Sequence, residues 1–285
     1  MIVVTGATGK VGRQVVTALK ARGAAFRVTS RDPKKAAEIL GADVSVVTAD
    51  YAKPETLGPA LRGADHLFLL CGPNEFKADL EIRLADAAKA AGVQHIVKLS
   101  VYGADERSSA TVMRDHRRVE THIEGLGLDW THLRPNLFMQ HFLNHAASIK
   151  AEGVFHAPLA EARVSVIDTR DIGAVAAVAL TEPGHAGRAY ELTGPAAPSY
   201  GEIAKMFTRA LGRPIRYEPI SAEEGHRRLR AAGSAEWHAT VLSEIYTFFR
   251  AGEGARVDSA VERVTGRTAR SMESFIADHR AAFSA

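Results

Sequence analysis

The chain has a single cysteine, Cys71, among 285 residues, which excludes an internal disulfide and any metal site built on several thiolates. A reducing compartment suits such a chain, and with no charged leader ahead of the first apolar residues the sequence predicts a cytoplasmic protein. Long hydrophobic runs are missing too. The apolar run at 172–180 falls far short of the roughly 20 residues that cross a bilayer, so no membrane association is expected. Neither sign of charge dominates: 36 basic side chains against 33 acidic ones leave a net charge of +3. The densest basic run, His226-Arg227-Arg228-Leu229-Arg230, reads as a solvated helix face, whereas nucleic-acid contacts concentrate charge along one surface. No nucleic-acid partner is expected. Linkers, repeats and low-complexity tracts are absent, and a chain of this length can bury about three quarters of its unfolded surface without staples. A homodimer is compatible with this composition.

What is present begins at residue 2. Ile2 to Val4 is a short β-branched run, Gly6, Gly9 and Gly12 follow at intervals of three, and Val11, Val15, Val16 and Leu19 recur at helical spacing. The pattern is strand, glycine turn, helix. At such a junction the helix N-terminus offers unpaired N–H groups and the positive end of its dipole, and glycines let a pyrophosphate approach the backbone. Gly6, Thr8, Gly9, Lys10, Val11 and Gly12 are therefore the candidate cradle of a dinucleotide. The spacing G-x-x-G-x-x-G departs from G-x-G-x-x-G, so the reading rests on the strand-turn-helix context.

Further strands are predicted at 26–29, 44–48, 67–71, 96–99 and 128–133, with helices at 31–40, 54–61, 80–91 and 111–124 between them. This is β-α alternation repeated six times, which right-handed crossovers turn into a doubly wound parallel sheet of the α/β class. The alternation loosens after Pro135. A helix at 138–149, a short strand at 164–166, a helix at 171–180, a strand at 189–192 and helices at 200–211, 222–232, 236–249 and 272–283 are predicted there. The expected division is a dinucleotide-binding domain over 1–135 and a smaller, mainly helical substrate-binding region over 136–285, with parts returning to the core.

In dinucleotide sites the tip of the second strand selects the cofactor: an acid accepts from the ribose 2′-hydroxyl, while an arginine accommodates a 2′-phosphate. Here the tip reads Ser30-Arg31-Asp32-Pro33. Aspartate before proline is the signature of a helix N-cap, which leaves Arg31, with Lys35 one turn inside, to face the phosphate. NADP(H) is expected in preference to NAD(H). Asp50 reads either as an acceptor for the adenine amino group or as a turn residue. Cys71 and Gly72, ending the fourth strand, would lie along the nicotinamide half, with Cys71 a packed small hydrophobe and not a nucleophile. Phe138, Met139 and Phe142, with Phe76 and Tyr102 and with Asn136 at the edge, read either as an apolar wall for an aromatic substrate or as core. His141 and His145 are four apart but have no clear third ligand, so no metal is expected.

Five stretches resemble one family: Gly6-Ala7-Thr8-Gly9-Lys10-Val11-Gly12, Lys98-Leu99-Ser100, His116-Arg117-Arg118-Val119-Glu120, Leu133-Arg134-Pro135-Asn136 and Val264-Thr265-Gly266-Arg267. Together they are similar to the NmrA-like, atypical branch of the short-chain dehydrogenase/reductases, over nearly the whole chain. The resemblance implies a Rossmann-like fold and NADP(H), and it places Ser100 and Pro135, at strand ends, beside the cofactor. That branch contains NADPH-dependent quinone and triphenylmethane-dye reductases and also redox-sensing regulators without turnover. Catalytic members of the parent family carry Tyr-x-x-x-Lys on the helix after the fifth strand, whereas counting back from Glu120 puts Val112 and His116 at those positions. Valine cannot donate a proton. Alcohol/ketone chemistry and sugar epimerisation are therefore disfavoured, and His116 or Tyr102 is the candidate catalytic donor or ribose-orienting group. The expected activity is hydride transfer from NADPH to a planar conjugated acceptor such as a quinone or dye; the alternative is a non-catalytic NADP(H)-binding redox sensor.

Overall fold

β1 (Ile2–Val4), α1 (Lys10–Ala21), β2 (Phe26–Ser30), α2 (Pro33–Leu40), β3 (Val46–Thr48), α3 (Leu57–Leu61), β4 (His66–Leu69), α4 (Lys77–Ala90), β5 (His95–Leu99), α5 (Thr111–Glu124) and β6 (Asp129–Pro135) follow one another in the computed structural model, which describes residues 1–284. Then come α6 (Ala146–Glu152), β7 (Val154–Ala157), α7 (Thr169–Thr181), β8 (Arg188–Leu192), α8 (Tyr200–Leu211), β9 (Arg216–Pro219), α9 (Ala222–Ala231), α10 (Glu236–Arg250), α11 (Ala260–Thr265), α12 (Met272–Asp278) and α13 (Arg280–Phe283). The chain divides into two units, the first made of Met1–Glu106, Met113–Pro135 and Thr169–Glu191, the second of Arg107–Val112, Asn136–Asp168 and the residues from Leu192 onward.

The first unit is built on a seven-stranded sheet in the order β3-β2-β1-β4-β5-β6-β8. Ile2 is in register with Phe26 on one side and His66 on the other, and β1 to β6 are all parallel. Because both faces are covered by helices, the middle strands carry long apolar stretches; Val3, Val4, Leu67, Phe68 and Leu69 are fully buried. The chain winds outward from β1 through β2 to β3 and returns to β4, so the strand order reverses between β1 and β4. Ligands of doubly wound sheets bind at that reversal, outside the carboxyl ends of the strands. α1 turns Val11, Val15, Val16 and Leu19 inward, and α7 packs against it so closely that a Cβ on Gly173 would lie 2.6 Å from Gln14 Cβ.

The second unit is mainly helical around an aromatic core. The ring of Phe142 lies 5.8 Å from Phe155, 5.1 Å from Tyr200 and 6.0 Å from Phe207, and Phe207 meets Phe283 edge-on at 4.8 Å. Several elements differ from the sequence expectations, among them the helix expected at 272–283, which is divided into α12 and α13. The helix expected at 138–149 starts as a 3-10 segment, Met139–His145, because Phe138 stays extended and Met139 N–H donates to the Ile167 carbonyl at 2.8 Å. Instead of a strand at 164–166 there are only isolated bridges, Phe138 to Ile167 and Arg163 to Ser199; Ser165 N–H goes to the Gly254 carbonyl in a loop at 3.0 Å. β7 and β9, each four residues long, form a parallel pair that no sequence signal announced.

Candidate active site

The glycine turn at the end of β1 has the shape the sequence implies, and two of its glycines are required by geometry. Gly6 has φ +62°, a left-handed value, and a Cβ there would lie 2.8 Å from the Leu70 carbonyl oxygen. A Cβ on Gly12 would lie 2.2 Å from the Gly6 oxygen, so only glycine lets the helix start against the turn. Gly9 precedes α1 without a side-chain cap, and the first turn contains no acidic residue. The positive end of the α1 dipole is thus uncompensated by this chain, as an incoming pyrophosphate requires. Val11 offers only its backbone, since its side chain is core. Burial holds the Lys10 ammonium below its ordinary range, and the Thr8 carbonyl is taken by Arg13 Nε at 2.8 Å.

At the tip of β2, Asp32 Oδ1 accepts from Lys35 N–H at 3.1 Å and caps α2. That contact occupies the one acid near the expected ribose and leaves Arg31 exposed beside it. Asp50 Oδ1 accepts from Ala52 N–H at 3.0 Å, as a turn residue does. Tyr51, which the sequence did not single out, closes the floor of the turn: its hydroxyl receives Gly6 N–H at 3.3 Å and lies 2.9 Å from Thr29 Oγ1. Cys71 is buried, and burial, with the Glu81 carboxylate nearby, pushes its thiol up to about 11.

Two buried ionic groups lie beyond the cradle, at the carboxyl ends of β5 and β6. In the first, Lys98 is wholly buried on β5; its Nζ is 3.2 Å from Glu81 Oε2, donates to the Leu99 carbonyl at 3.1 Å and lies 2.7 Å from His116 Nδ1. The other ring nitrogen, His116 Nε2, is 2.8 Å from Lys77 Nζ. Burial holds the Lys98 ammonium below its ordinary range, and burial together with both lysines holds His116 well below its own. In the second, Ser100 Oγ donates to Glu120 Oε1 at 2.6 Å, Arg134 forks onto both oxygens of Glu120 at 2.9 and 2.7 Å, and Arg117 adds a bond at 3.0 Å. Burial raises the Glu120 carboxyl, but the guanidinium fork and the serine overcome it and hold it near about 2. Glu120, Glu124 and His132 bring ligand atoms within 4.8 Å of one another, yet the carboxylates are already bonded to Arg117 and Arg134, which fill the place of a cation.

The remaining candidates are spread over both units. Tyr102 is buried and its N–H donates to the Pro135 carbonyl at 2.9 Å. Phe76, one residue before α4, is 64% exposed. Asn136 Nδ2 is spent on Ser165 Oγ at 2.8 Å and the Gly254 carbonyl at 3.0 Å. Met139 and Phe142 are buried in the aromatic core of the second unit, so of the expected wall Phe76 and Phe138 are the residues with side-chain surface to offer.

The NmrA-like family model matches residues 1–276. The chain belongs to the NmrA-like family. It is 38% identical, over the full length of both chains, to an NAD(P)H azoreductase of Xenophilus azovorans. Among solved structures, an NADPH-dependent quinone oxidoreductase of Escherichia coli, complexed with NADPH, superimposes with a TM-score of 0.89 at 25% identity, covering 99% of this chain and 100% of that one. The triphenylmethane reductase of a Citrobacter species, complexed with NADP(H), gives 0.87 at 26% identity, covering 98% and 99%.

Lys77 and Glu81 of this NmrA-like chain were not among the residues the sequence singled out, and Lys98 stood there only within a family stretch, although two of the three carried a signal. Lys98 interrupts the otherwise apolar strand Ile96-Val97-Lys98-Leu99, and Glu81 stands on the stripe it shares with the buried residues Leu84, Ala85 and Ala88 of α4. A charge on a buried stripe needs a partner, and here the partners are each other.

Proposed function

We infer that this NmrA-like protein is an NADPH-dependent reductase that delivers hydride to a planar conjugated acceptor, a quinone or a dye. The observation that carries this reading is the match over the whole chain to an NAD(P)H azoreductase, at 38% identity. The residues present suit the dinucleotide: the bare turn at Gly9 and the uncompensated start of α1 would hold the pyrophosphate, and Arg31, with Lys35, the 2′-phosphate. When bound, the cofactor supplies the hydride. Conjugated acceptors then ask little of the protein, since a flat ring gains from burial and stacking and its developing charge is delocalised. Phe76 is the exposed ring in the first unit on which such an acceptor could lie. The valine at position 112 fits an acceptor that needs no phenol donor.

The test is a steady-state panel of quinones, triarylmethane dyes, azo dyes and simple ketones with NADPH. Quinones and dyes are expected to turn over at least a hundredfold faster than ketones. A protein that binds NADPH yet oxidises it with none of the panel overturns the reading.

A further inference from the structure

The nitrogens of Lys77, His116 and Lys98 stand in a row, and their proton count is constrained. A neutral imidazole has one N–H and one lone pair, and an ammonium group only donates. With Lys98 Nζ 2.7 Å from Nδ1 and Lys77 Nζ 2.8 Å from Nε2, two ammonium groups would leave one ring N–H pointing at a donor. The trio therefore holds no more than one positive charge, on Lys98, on the ring or on Lys77, and each of these arrangements makes both hydrogen bonds. One carboxylate matches it: Glu81 lies 3.2 Å from Lys98 and 3.7 Å from Lys77. A buried set with one cation and one anion avoids the penalty of an unpaired charge.

The two ends differ in access. The Lys98 side chain is fully buried, whereas that of Lys77 keeps 25% of its surface. Lys77 also follows directly on Phe76, whose ring is largely exposed at the same turn.

We propose that Lys77 is the proton donor in quinone reduction, loaded through the His116 ring from Lys98. This rests on the reductase reading above. The quinone accepts a hydride with its electron pair, NADPH becoming NADP⁺, and is left as a hydroquinone anion. Lys98 passes a proton to Nδ1 as Nε2–H passes one to Lys77, and the Lys77 ammonium protonates the hydroquinone oxygen. Lys77 is left as an amine and regains a proton from solvent on its exposed side, and the reverse shift through the His116 ring returns a proton to Lys98 and restores the starting state. Lys77 is the catalytic residue of this step, and His116 and Lys98 position and supply its proton.

The stoichiometry of the acceptor separates this role from a structural one. A triarylmethyl cation becomes its neutral leuco form by gaining hydride alone, whereas a quinone needs hydride and a proton. Lys77→Met is expected to lower the ratio of quinone to dye turnover at least tenfold, within the range general acids contribute. Lys77→Arg is expected to do the same, because a guanidinium keeps the charge but does not release its proton. Equal losses on both acceptors, an unchanged ratio, or rescue by arginine overturns the proposal.

A second readout needs neither cofactor nor turnover. In the cofactor-free protein labelled with ¹⁵N-histidine, both His116 ring nitrogens are expected at shifts averaged between bare and protonated values. In Lys77→Met the ring should lock with the proton on Nε2 and Nδ1 accepting from Lys98. A single fixed tautomer, the same in both proteins, sinks the relay. If the wild type reduces neither acceptor, the reductase reading falls, and the nitrogen shifts alone decide whether the shared proton exists.

Discussion

Arg31 and Asp32 are neighbours with opposite charges, and a hydrogen bond ties down only the acid. Asp32 is turned back onto Lys35 N–H as the cap of α2, so its carboxylate is committed, and under the proposed function the guanidinium is the group that would meet a 2′-phosphate. A charge-assisted contact of this kind contributes about 1.5–3 kcal/mol, or roughly tenfold to a hundredfold in affinity. Arg31→Ala is expected to remove most of the preference for NADPH over NADH, as read by calorimetry with both cofactors. The cap was legible in the sequence because Asp-Pro at a helix start is a local signal. Lys98, Glu81 and Lys77 were not legible as a site, since their meaning lies in a meeting of α4, β5 and α5 that no single segment contains. His116 illustrates the same limit: its position on α5 could be counted, but its burial between two amines depended on neighbours 39 and 18 residues away in sequence.

At the scale of elements, the helices and strands that read clearly were those with a period and a stop. α1, α2 and β5 each combine an apolar repeat with a glycine, a cap or a short buried run, and each stands where the sequence put it. β7 and β9 failed to announce themselves because four residues carry too little alternation to register, and what defines them is their pairing. The contact between α1 and α7 is also invisible in either segment alone. It depends on Gly173, where any Cβ meets the backbone of Gln14 at 2.6 Å. Gly173→Ala is expected to push the two helices apart and cost about 1–3 kcal/mol, as overpacking does. Urea unfolding would measure it, and a variant as stable as the wild type would show that the helices can shift without loss.

For the whole molecule, the buried titratable groups set the response to acid. Burial lowers His95 and His132 from 6.5 to about 4, so between those values the unfolded chain binds protons that the native rings do not. Stability present above pH 6.5 is therefore lost as pH falls toward 4. Glu120 extends the loss: its carboxyl is held near about 2 against an ordinary 4.5, and the native state forfeits that advantage as pH falls from 4.5 to about 2. Urea midpoints are expected to decline in both windows. Glu120→Gln should lower the midpoint at pH 7, since it takes from Arg134 the carboxylate it forks onto and leaves it only Glu191 at 3.3 Å, and should flatten the lower window. A midpoint independent of pH down to 4 would contradict the burial of both histidines.

The position of α7 and β8 has a consequence for how the chain is made. Both belong to the first unit, yet they are encoded after residue 168, and β8 lies beside β6 at the end of the sheet. A ribosome emits the chain from its N-terminus, so for the time it takes to add residues 136–187 the nascent sheet ends at β6, with a row of open N–H and C=O groups. Until residue 181 has been added, α1 also lacks the helix that covers it. The first unit can close only when residue 191 has cleared the exit tunnel, and until then the nascent protein presents the kind of bare strand edge that chaperones exist to shield.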